Sequence, residues 1–357
     1  MRINLPDILL VPKPADLTSS FSPDGICPEG DIVLEVGHEK EPLRVESDFL
    51  TYTSGPFKDI LDSIGYHKRP PRCADEPLST PTVWLEDDDF NALYTICCVL
   101  HHQPDLLPPF LVPEQILQVA LVATKYDWSK ALTFARAYWL NPAEKPSFID
   151  AAYLFAATAA FGDEDLFRYH SLQIILGYIE PYTELRKYRS ICQVLPVKIF
   201  STDQDLRVDM LEWKRIRLRI ELSKLMFQGA FALVACNWDS RRRDRFFHLH
   251  QAKYNPFKIS EVPLSQVMDD MRMASYEETG RPEHNASCGD HNLHAAEFAN
   301  RLAQLQWDSC IDMAVINSDA DADDVEDVSS DKDDCISIHL DAEGASSGEQ
   351  ETIVDGQ

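Results

Sequence analysis

Residues 30–61, GDIVLEVGHEKEPLRVESDFLTYTSGPFKDIL, predict a β-hairpin that runs directly into two short helices. Residues 31–37 alternate strongly apolar side chains with other side chains, which indicates a strand with one buried face. A polar turn separates this strand from a second strand at residues 43–47. Residues 48–64 predict two helices with a break before Pro56, since proline is tolerated in the first turn of a helix.

The elements that follow become progressively helical. A polar, proline-rich loop at residues 65–81 precedes a third predicted strand at residues 82–86. Three acidic residues, Asp87, Asp88 and Asp89, favour a helix start, because carboxylates accept from the free N–H groups there. Helices are expected at residues 90–101, 113–127, 128–140, 148–161, 163–178, 205–236 and 294–307.

The order of these elements resembles the BTB/POZ family, in the form common in fungal proteins. The resemblance is carried by four motifs in the family's order: GDIVLEVG, LRVESDFLTYTSGPFKDIL, VWLEDDDFNALYTICCVLHHQPDLLP and LQVALVATKYDWSKAL. A further stretch, YLFAATAAFGDEDLFRYHSLQII, is similar to the helical continuation in such fungal proteins. The resemblance implies an α+β fold, a small sheet with a helical cluster, that binds other proteins and has no catalytic activity.

The resemblance and the composition together give the expected organisation of the chain. We expect a disordered lead-in at 1–29, a BTB/POZ-like domain at 30–141, an all-helical extension at 146–236, a mixed helical region at 237–317 and a disordered acidic tail at 318–357.

The family resemblance also implies which residues contact partner proteins. Within the BTB/POZ-like domain these are Asp31, Val45, Ser47, Phe49 and Leu50. Well-studied dimeric members carry a histidine and then a basic residue after the valine of the second strand, where this chain has Glu46 and Ser47. Self-association therefore stays open. The loop at 65–81 has no clear copy of the apolar-x-Glu motif of members that recruit a cullin ubiquitin ligase, so the sequence does not support an adaptor role of that kind.

The charge of the chain argues against nucleic acid as a partner. The net charge is −26, and Ser318–Gln357 carries −13 of it, so the chain repels a polyanion. Residues 214–219, KRIRLR, alternate basic with apolar side chains, which predicts the solvated side of a buried helix. Residues 241–245, RRRDR, are either a weak nuclear-import signal or a polar helix end.

The remaining composition predicts a soluble protein of the cytoplasm, the nucleus or both. We recognise no signal peptide, and no apolar stretch is long enough for a membrane helix, so no membrane partner is expected. The nine cysteines lack the spacing of a disulfide framework and are expected to be reduced.

The sequence contains no glycine-rich phosphate loop and no G-x-S-x-G motif, so we do not expect an enzyme. His284, Cys288 and His291 could hold a structural zinc ion, because Cys288-x2-His291 and His291-x2-His294 have the spacing of zinc ligands. The alternative is a polar loop with incidental histidines and no cofactor. A zinc-stabilised regulator or a metal-dependent enzyme built on residues 236–310 is the alternative function.

Two further patterns lie in the second half of the chain. Ile336 and Ile338 belong to a β-prone island in the acidic tail, which could add as a strand to the sheet edge of a partner; the alternative is a purely solvating tail. Trp213, Ile220 and Phe227 recur every seven residues in the long predicted helix, but the intermediate positions are not consistently apolar. This favours packing against neighbouring helices over a coiled coil.

Overall fold

The computed structural model describes residues 26–66, 80–196, 199, 210–232, 244–245, 247–254, 258–275 and 291–314. All of them belong to one compact unit that extends to Asn317. Most of the predicted lead-in, most of the loop at 65–81 and the whole acidic tail lie outside the described residues.

A small three-stranded sheet organises the first part of the fold. Its strands are β1 (Ile32–Val36), β2 (Glu41–Val45) and β3 (Thr82–Leu85). The central strand, β1, runs antiparallel to β2 and parallel to β3. Leu34 pairs with Leu43 on one side and with Val83 on the other. A parallel neighbour requires a long crossover, and α1 (Ser47–Thr53) and α2 (Gly55–Ser63) form part of it.

The described residues after the sheet are mainly helical, which confirms the prediction of a mixed α+β chain. The helices are α3 (Phe90–Leu100), α4 (Pro113–Lys125), α5 (Thr133–Trp139), α6 (Phe148–Phe161), α7 (Glu164–Gly177), α8 (Arg189–Val194), α9 (Met210–Ala232), α10 (Leu264–Ser275) and α11 (His291–Asp308). None of the described helices is both long and apolar enough to cross a membrane.

Local signals explain where several helices begin and end. The Asp89 carboxylate accepts from the Ala92 N–H at 2.8 Å and so caps α3, as the acidic run predicts. Gly162 ends α6 in the left-handed conformation, with a φ of 69°, and Asp163 caps α7 directly after it. The predicted joint between α6 and α7 is therefore confirmed.

An aromatic cluster forms the centre of the first part of the fold. Trp128 is completely buried, and its ring centroid lies 5.5 Å from Phe57 and 4.9 Å from Tyr126. The Trp128 indole N–H also points at the Leu50 carbonyl, 3.4 Å away. The cluster therefore joins α1, α2 and the chain that follows α4.

The helical extension packs directly on this first part. The helix α6 is buried along almost its whole length, and its main neighbour is α4. The Thr124 hydroxyl of α4 donates to the Ala160 carbonyl of α6 at 2.6 Å. Near the other end of the pair, the Tyr153 hydroxyl donates to the Glu114 carboxylate at 3.3 Å. Residues 148–161 therefore help to close the core that the sheet begins.

The structure corrects three predicted boundaries. The second strand ends at Val45, and Ser47 begins α1, because the Asp31 carboxylate accepts from the Ser47 N–H and draws it out of the strand. The predicted lead-in is ordered at its end, where Ile26 is buried and the Cys27 N–H donates to the Arg44 carbonyl at 3.2 Å.

The third correction concerns the helix predicted at residues 128–140. The structure has a turn at its start, and α5 begins only at Thr133. Asp127 has a positive φ of 56°, and this conformation reverses the direction of the chain. The Trp128 N–H therefore donates to the Ala123 carbonyl at 2.7 Å. Burial of the Trp128 ring at this reversal outweighs the helical propensity of the residues around it.

Candidate protein-interaction surface

The start of α1 is fixed by a polar cluster around one carboxylate. The Ser47 N–H and hydroxyl each donate to Asp31 at 2.8 Å, and the Tyr66 hydroxyl donates to the same carboxylate. Burial alone would raise the pKa of Asp31, but these hydrogen bonds outweigh it and lower the pKa below its usual value. The ionised carboxylate therefore ties the start of β1 to the start of α1.

The five predicted contact residues of the domain lie close together in the structure, but three of them are buried and do not form part of its surface. Val45 and Leu50 have no exposed area, and Ser47 is buried. In this conformation their side chains fill the core or bind Asp31, and their assignment as partner contacts stays a prediction. Of the five, Phe49 is the one that presents a large apolar area to solvent, with 43% of it exposed.

Phe49 is held against the end of α3 by a buried histidine. The centroids of its ring and of the His101 imidazole are 4.9 Å apart. The imidazole Nε2 of His101 accepts from the Glu46 N–H at 3.0 Å, and Nδ1 donates to the Cys97 carbonyl at 2.8 Å. Burial lowers the pKa of His101, which keeps the neutral tautomer that this pattern requires.

Exposed aromatic side chains cluster on two helices of this region. On α1, Tyr52 is 94% exposed one turn beyond Phe49. On α5, Phe134 is 91% exposed and Tyr138 is 62% exposed, and the spacing of four residues places them on one helix face. The predicted contact residues do not include Tyr52, Phe134 or Tyr138, although the four-residue spacing of Phe134 and Tyr138 is that of one helix face. Such residues are the usual anchors of protein interfaces.

The acidic run before α3 and the histidines after it have structural roles. Asp88 is buried and accepts from the Lys125 ammonium at 2.7 Å and from the Tyr126 hydroxyl at 2.5 Å. His101 and His102 lie at the opposite end of α3, near Phe49. The structure thus agrees with capping and packing as the roles of these residues.

The proposed metal ligands cannot be assembled from the described residues. His284 and Cys288 lie outside them, and His291 begins α11 with its side chain undescribed. Within the described ranges, no three His, Cys, Asp or Glu side chains are grouped so that they could hold a metal ion. The zinc site stays a prediction, and so does the partner contact of Ile336 and Ile338, which are also outside the described residues.

The structure agrees only in part with the predicted orientation of α9, since Arg217 is exposed and Leu218 is buried as expected. Arg215 of the KRIRLR stretch is buried, whereas Ile216 is 40% exposed. Three residues were predicted to pack against neighbouring helices: Trp213, Ile220 and Phe227. They are 45–50% exposed, and the Phe227 ring contacts the His250 ring at 5.5 Å. The buried side of α9 is formed instead by other apolar residues: Leu211, Leu218, Leu222, Leu225 and Met226.

Comparison with known proteins identified no relative of this chain. No family model, curated protein or solved structure matches the chain.

Proposed function

We propose that the chain is a non-enzymatic interaction protein of the BTB/POZ kind, which binds partner proteins through the outer face of α1. The observation that carries the proposal is the exposure of Phe49 and Tyr52 on a helix whose base is rigidly fixed. A partner that covers these two aromatic side chains gains apolar burial, and a fixed helix loses little conformational entropy on binding.

The anchoring of α1 supports this proposal because it involves three separate parts of the fold. Asp31 holds the first residue of the helix, Trp128 donates toward the Leu50 carbonyl, and His101 packs against the Phe49 ring. None of these contacts covers the outward side of Tyr52. The helix therefore presents its aromatic pair in one orientation, which is the pre-organisation that specific protein recognition requires.

The chemistry of the two neighbouring thiols of α3 favours a structural role. Cys97 is completely buried, and burial raises its pKa well above its usual value. Burial likewise raises the pKa of Cys98 to about 12. Reactive cysteines need a lowered pKa and access to substrate, so this pair fits the core of a binding domain better than a nucleophilic site.

The proposal is tested by quantitative affinity capture from a fungal cell extract with the full-length chain as bait. The Tyr52→Asp variant should lose a defined set of polypeptides that the wild type retains, because a charge replaces an exposed anchor. The matched control is Met273→Asp, which alters an apolar residue on α10 that is 68% exposed. The control should retain the set. Identical sets for all three proteins, with Tyr52→Asp still folded by circular dichroism, would contradict a role for α1.

A second measurement addresses self-association. Sedimentation velocity of the wild type and of Tyr52→Asp shows whether a second copy occupies the same face. A dimer that dissociates on the substitution makes this chain its own partner at α1, and a dimer that persists places self-association elsewhere.

A further inference from the structure

One imidazole ring connects the end of α3 with the start of α1. It belongs to His101, which follows the last residue of α3 and is buried. Its Nδ1 donates to the Cys97 carbonyl of α3 at 2.8 Å. Its Nε2 accepts from the N–H of Glu46, the residue directly before α1, at 3.0 Å. The ring therefore joins the two helices with one donor and one acceptor.

This connection exists in one protonation state of the ring. The Glu46 N–H is always a donor, so Nε2 must offer a lone pair, and the one proton of the neutral ring must lie on Nδ1. When the ring binds a second proton, Nε2 becomes a donor and faces another donor at 3.0 Å. That hydrogen bond is then lost, and two N–H groups in a partly buried place are left without this partner, which is unfavourable.

The loss affects α1 more than α3. Nδ1 keeps its proton and its bond to the Cys97 carbonyl, so the imidazolium stays attached to α3. The start of α1 is held at Glu46 by the ring and at Ser47 by Asp31, so it gives way at Glu46. Phe49 lies one turn further along, with its ring centroid 4.9 Å from that of the imidazole. An imidazolium attracts an aromatic ring, but at an exposed side chain this attraction is weaker than the loss of a hydrogen bond to a partly buried N–H.

The charged groups around the ring determine when it takes up the proton. Asp31 of β1 favours the imidazolium, and His102, the next residue, opposes it when charged. Burial has the largest effect and lowers the pKa of His101 below its ordinary value. The groups that the ring contacts on α1 and α3, the Phe49 ring and the Cys97 carbonyl, are uncharged. The ring is therefore neutral at physiological pH and binds the proton in mild acid.

We propose that His101 is a pH switch for the outer face of α1, in which protonation of the ring frees the start of the helix and removes the fixed orientation of Phe49 and Tyr52. This inference rests on the proposed role of that face in partner binding. The closed state has Nε2 bonded to the Glu46 N–H and binds partners near neutral pH. The open state carries the imidazolium and binds them weakly, so the protein releases its partners on acidification.

The pH range of the switch follows from the linkage between proton binding and opening. In the open state the ring is in water, where its pKa is about 6.5, whereas burial lowers the pKa in the closed state. Below about pH 6.5 the ratio of open to closed chains rises by up to about tenfold per pH unit, until the pH reaches the pKa of the closed state. The closed state is therefore favoured above this range and is lost as the pH falls.

Amide hydrogen exchange of the full-length chain, followed by NMR spectroscopy, tests the opening directly. The protection factor of the Glu46 amide, corrected for the intrinsic exchange rate at each pH, should fall about three- to tenfold between about pH 7.5 and about pH 5.5. The amide of Leu34, in the central strand, reports opening of the whole fold. Protection at Glu46 should be lower than at Leu34 at both pH values, because the opening of α1 is local.

Two variants identify the group that titrates. His101→Gln removes the titrating ring and keeps an amide oxygen that can accept from the Glu46 N–H. The protection factor of Glu46 should then be independent of pH in this range. His102→Gln is the matched control, because it makes the same substitution at the next residue, which is exposed, whereas the Glu46 N–H is bound by His101. It should retain the pH dependence of the wild type.

Elution by acid connects the opening to partner binding. The polypeptides that the wild type retains and Tyr52→Asp loses are captured at about pH 7.5 and eluted with buffer at about pH 5.5. The wild type and His102→Gln should release most of this set, and His101→Gln should retain it.

Three results would overturn the switch. The first is equal protection of Glu46 in the wild type at the two pH values, which decides the question even if His101→Gln is unstable. The second is a fall in protection that is the same in His101→Gln, or protection at Glu46 that equals that at Leu34. The third is retention of the Tyr52-dependent set in acid by wild-type chains whose Glu46 amide has lost protection. Absence of any Tyr52-dependent set contradicts the proposed function instead, and the exchange data still decide whether His101 opens α1.

Discussion

Asp31 and Ser47 hold the start of β1 against the start of α1 through two hydrogen bonds of 2.8 Å, one from the Ser47 N–H and one from its hydroxyl. Replacement of Asp31 by alanine leaves both donors without this acceptor. We expect a loss of about 2–3 kcal/mol in the free energy of unfolding, measured by urea denaturation. Asp48→Ala, in the first turn of α1, is the control and should cost no more than about 1 kcal/mol.

The same carboxylate gives a pH signature. The pKa of Asp31 is lowered in the folded protein, so its contribution is present above the unfolded pKa, about 4, and is lost as the pH falls through the folded value. The difference in stability between the wild type and Asp31→Asn should therefore shrink below about pH 4. A difference that is constant down to pH 2 would show that the charge of Asp31 is unimportant.

Gly30 and Gly55 form a matched pair for a packing test. A Cβ at Gly30 would overlap the Val45 backbone, which cannot move without disturbing the sheet, whereas a Cβ at Gly55 meets nothing within 4 Å. Gly30→Ala should lower the free energy of unfolding by about 1–3 kcal/mol. Gly55→Ala, in the first turn of α2, should be neutral or stabilising by up to about 1 kcal/mol. Equal effects in thermal denaturation would contradict the close approach at Gly30.

His170 should make the protein lose stability in mild acid. Burial lowers its pKa to about 4, and Nε2 lies 2.9 Å from the Leu140 carbonyl, to which the neutral ring donates. Because the unfolded pKa is about 6.5, the unfolded chain binds the proton first, and stability falls as the pH drops from 6.5 towards 4. The loss attributable to this ring should reach about 3 kcal/mol. His170→Gln keeps a donor and should flatten this part of the pH profile; an unchanged profile would contradict the assignment.

Arg215 should be one of the most sensitive positions of α9. It is buried, pairs with Glu212, and lies with its guanidinium carbon 4.2 Å from the Tyr182 ring centre. Arg215→Met leaves Glu212 less well compensated and should cost about 3–5 kcal/mol. Arg217→Met changes an exposed neighbour and should cost no more than about 1 kcal/mol. Similar unfolding midpoints for the two variants would show that Arg215 is not the anchor.

Elements specified by local chemistry could be predicted from the sequence. The hairpin, the α3 cap at Asp89 and the joint at Gly162 depend on a few adjacent residues, and the structure has all three. The helix predicted at 294–307 is likewise present within α11. The helix α10 was missed, although buried Leu264, Val267, Met268 and Met271 follow the spacing of a helix face.

The side of a helix that faces the core could not be predicted in the same way. The sequence of α9 contains two apolar rows, and periodicity alone does not tell which of them faces the core. The choice is made by neighbours such as Tyr182 and the Glu180 carbonyl, which receive Arg215 and are distant in sequence. For the same reason, motif resemblance placed Val45 and Leu50 among the contact residues, whereas the fold uses both as core.

The hydrogen bond from the Thr124 hydroxyl to the Ala160 carbonyl joins α4 to α6, and this has a practical consequence for studies of fragments of the chain. A polypeptide that stops at Asn141 would lack α6, and the side of α4 that carries Glu114 and Thr124 would become exposed to solvent and prone to non-native contacts. Proteins retained by such a truncated bait would bind the newly exposed side of α4, which α6 covers in the intact chain. Biological partners should accordingly be sought with a polypeptide that keeps the helices up to α11 in place.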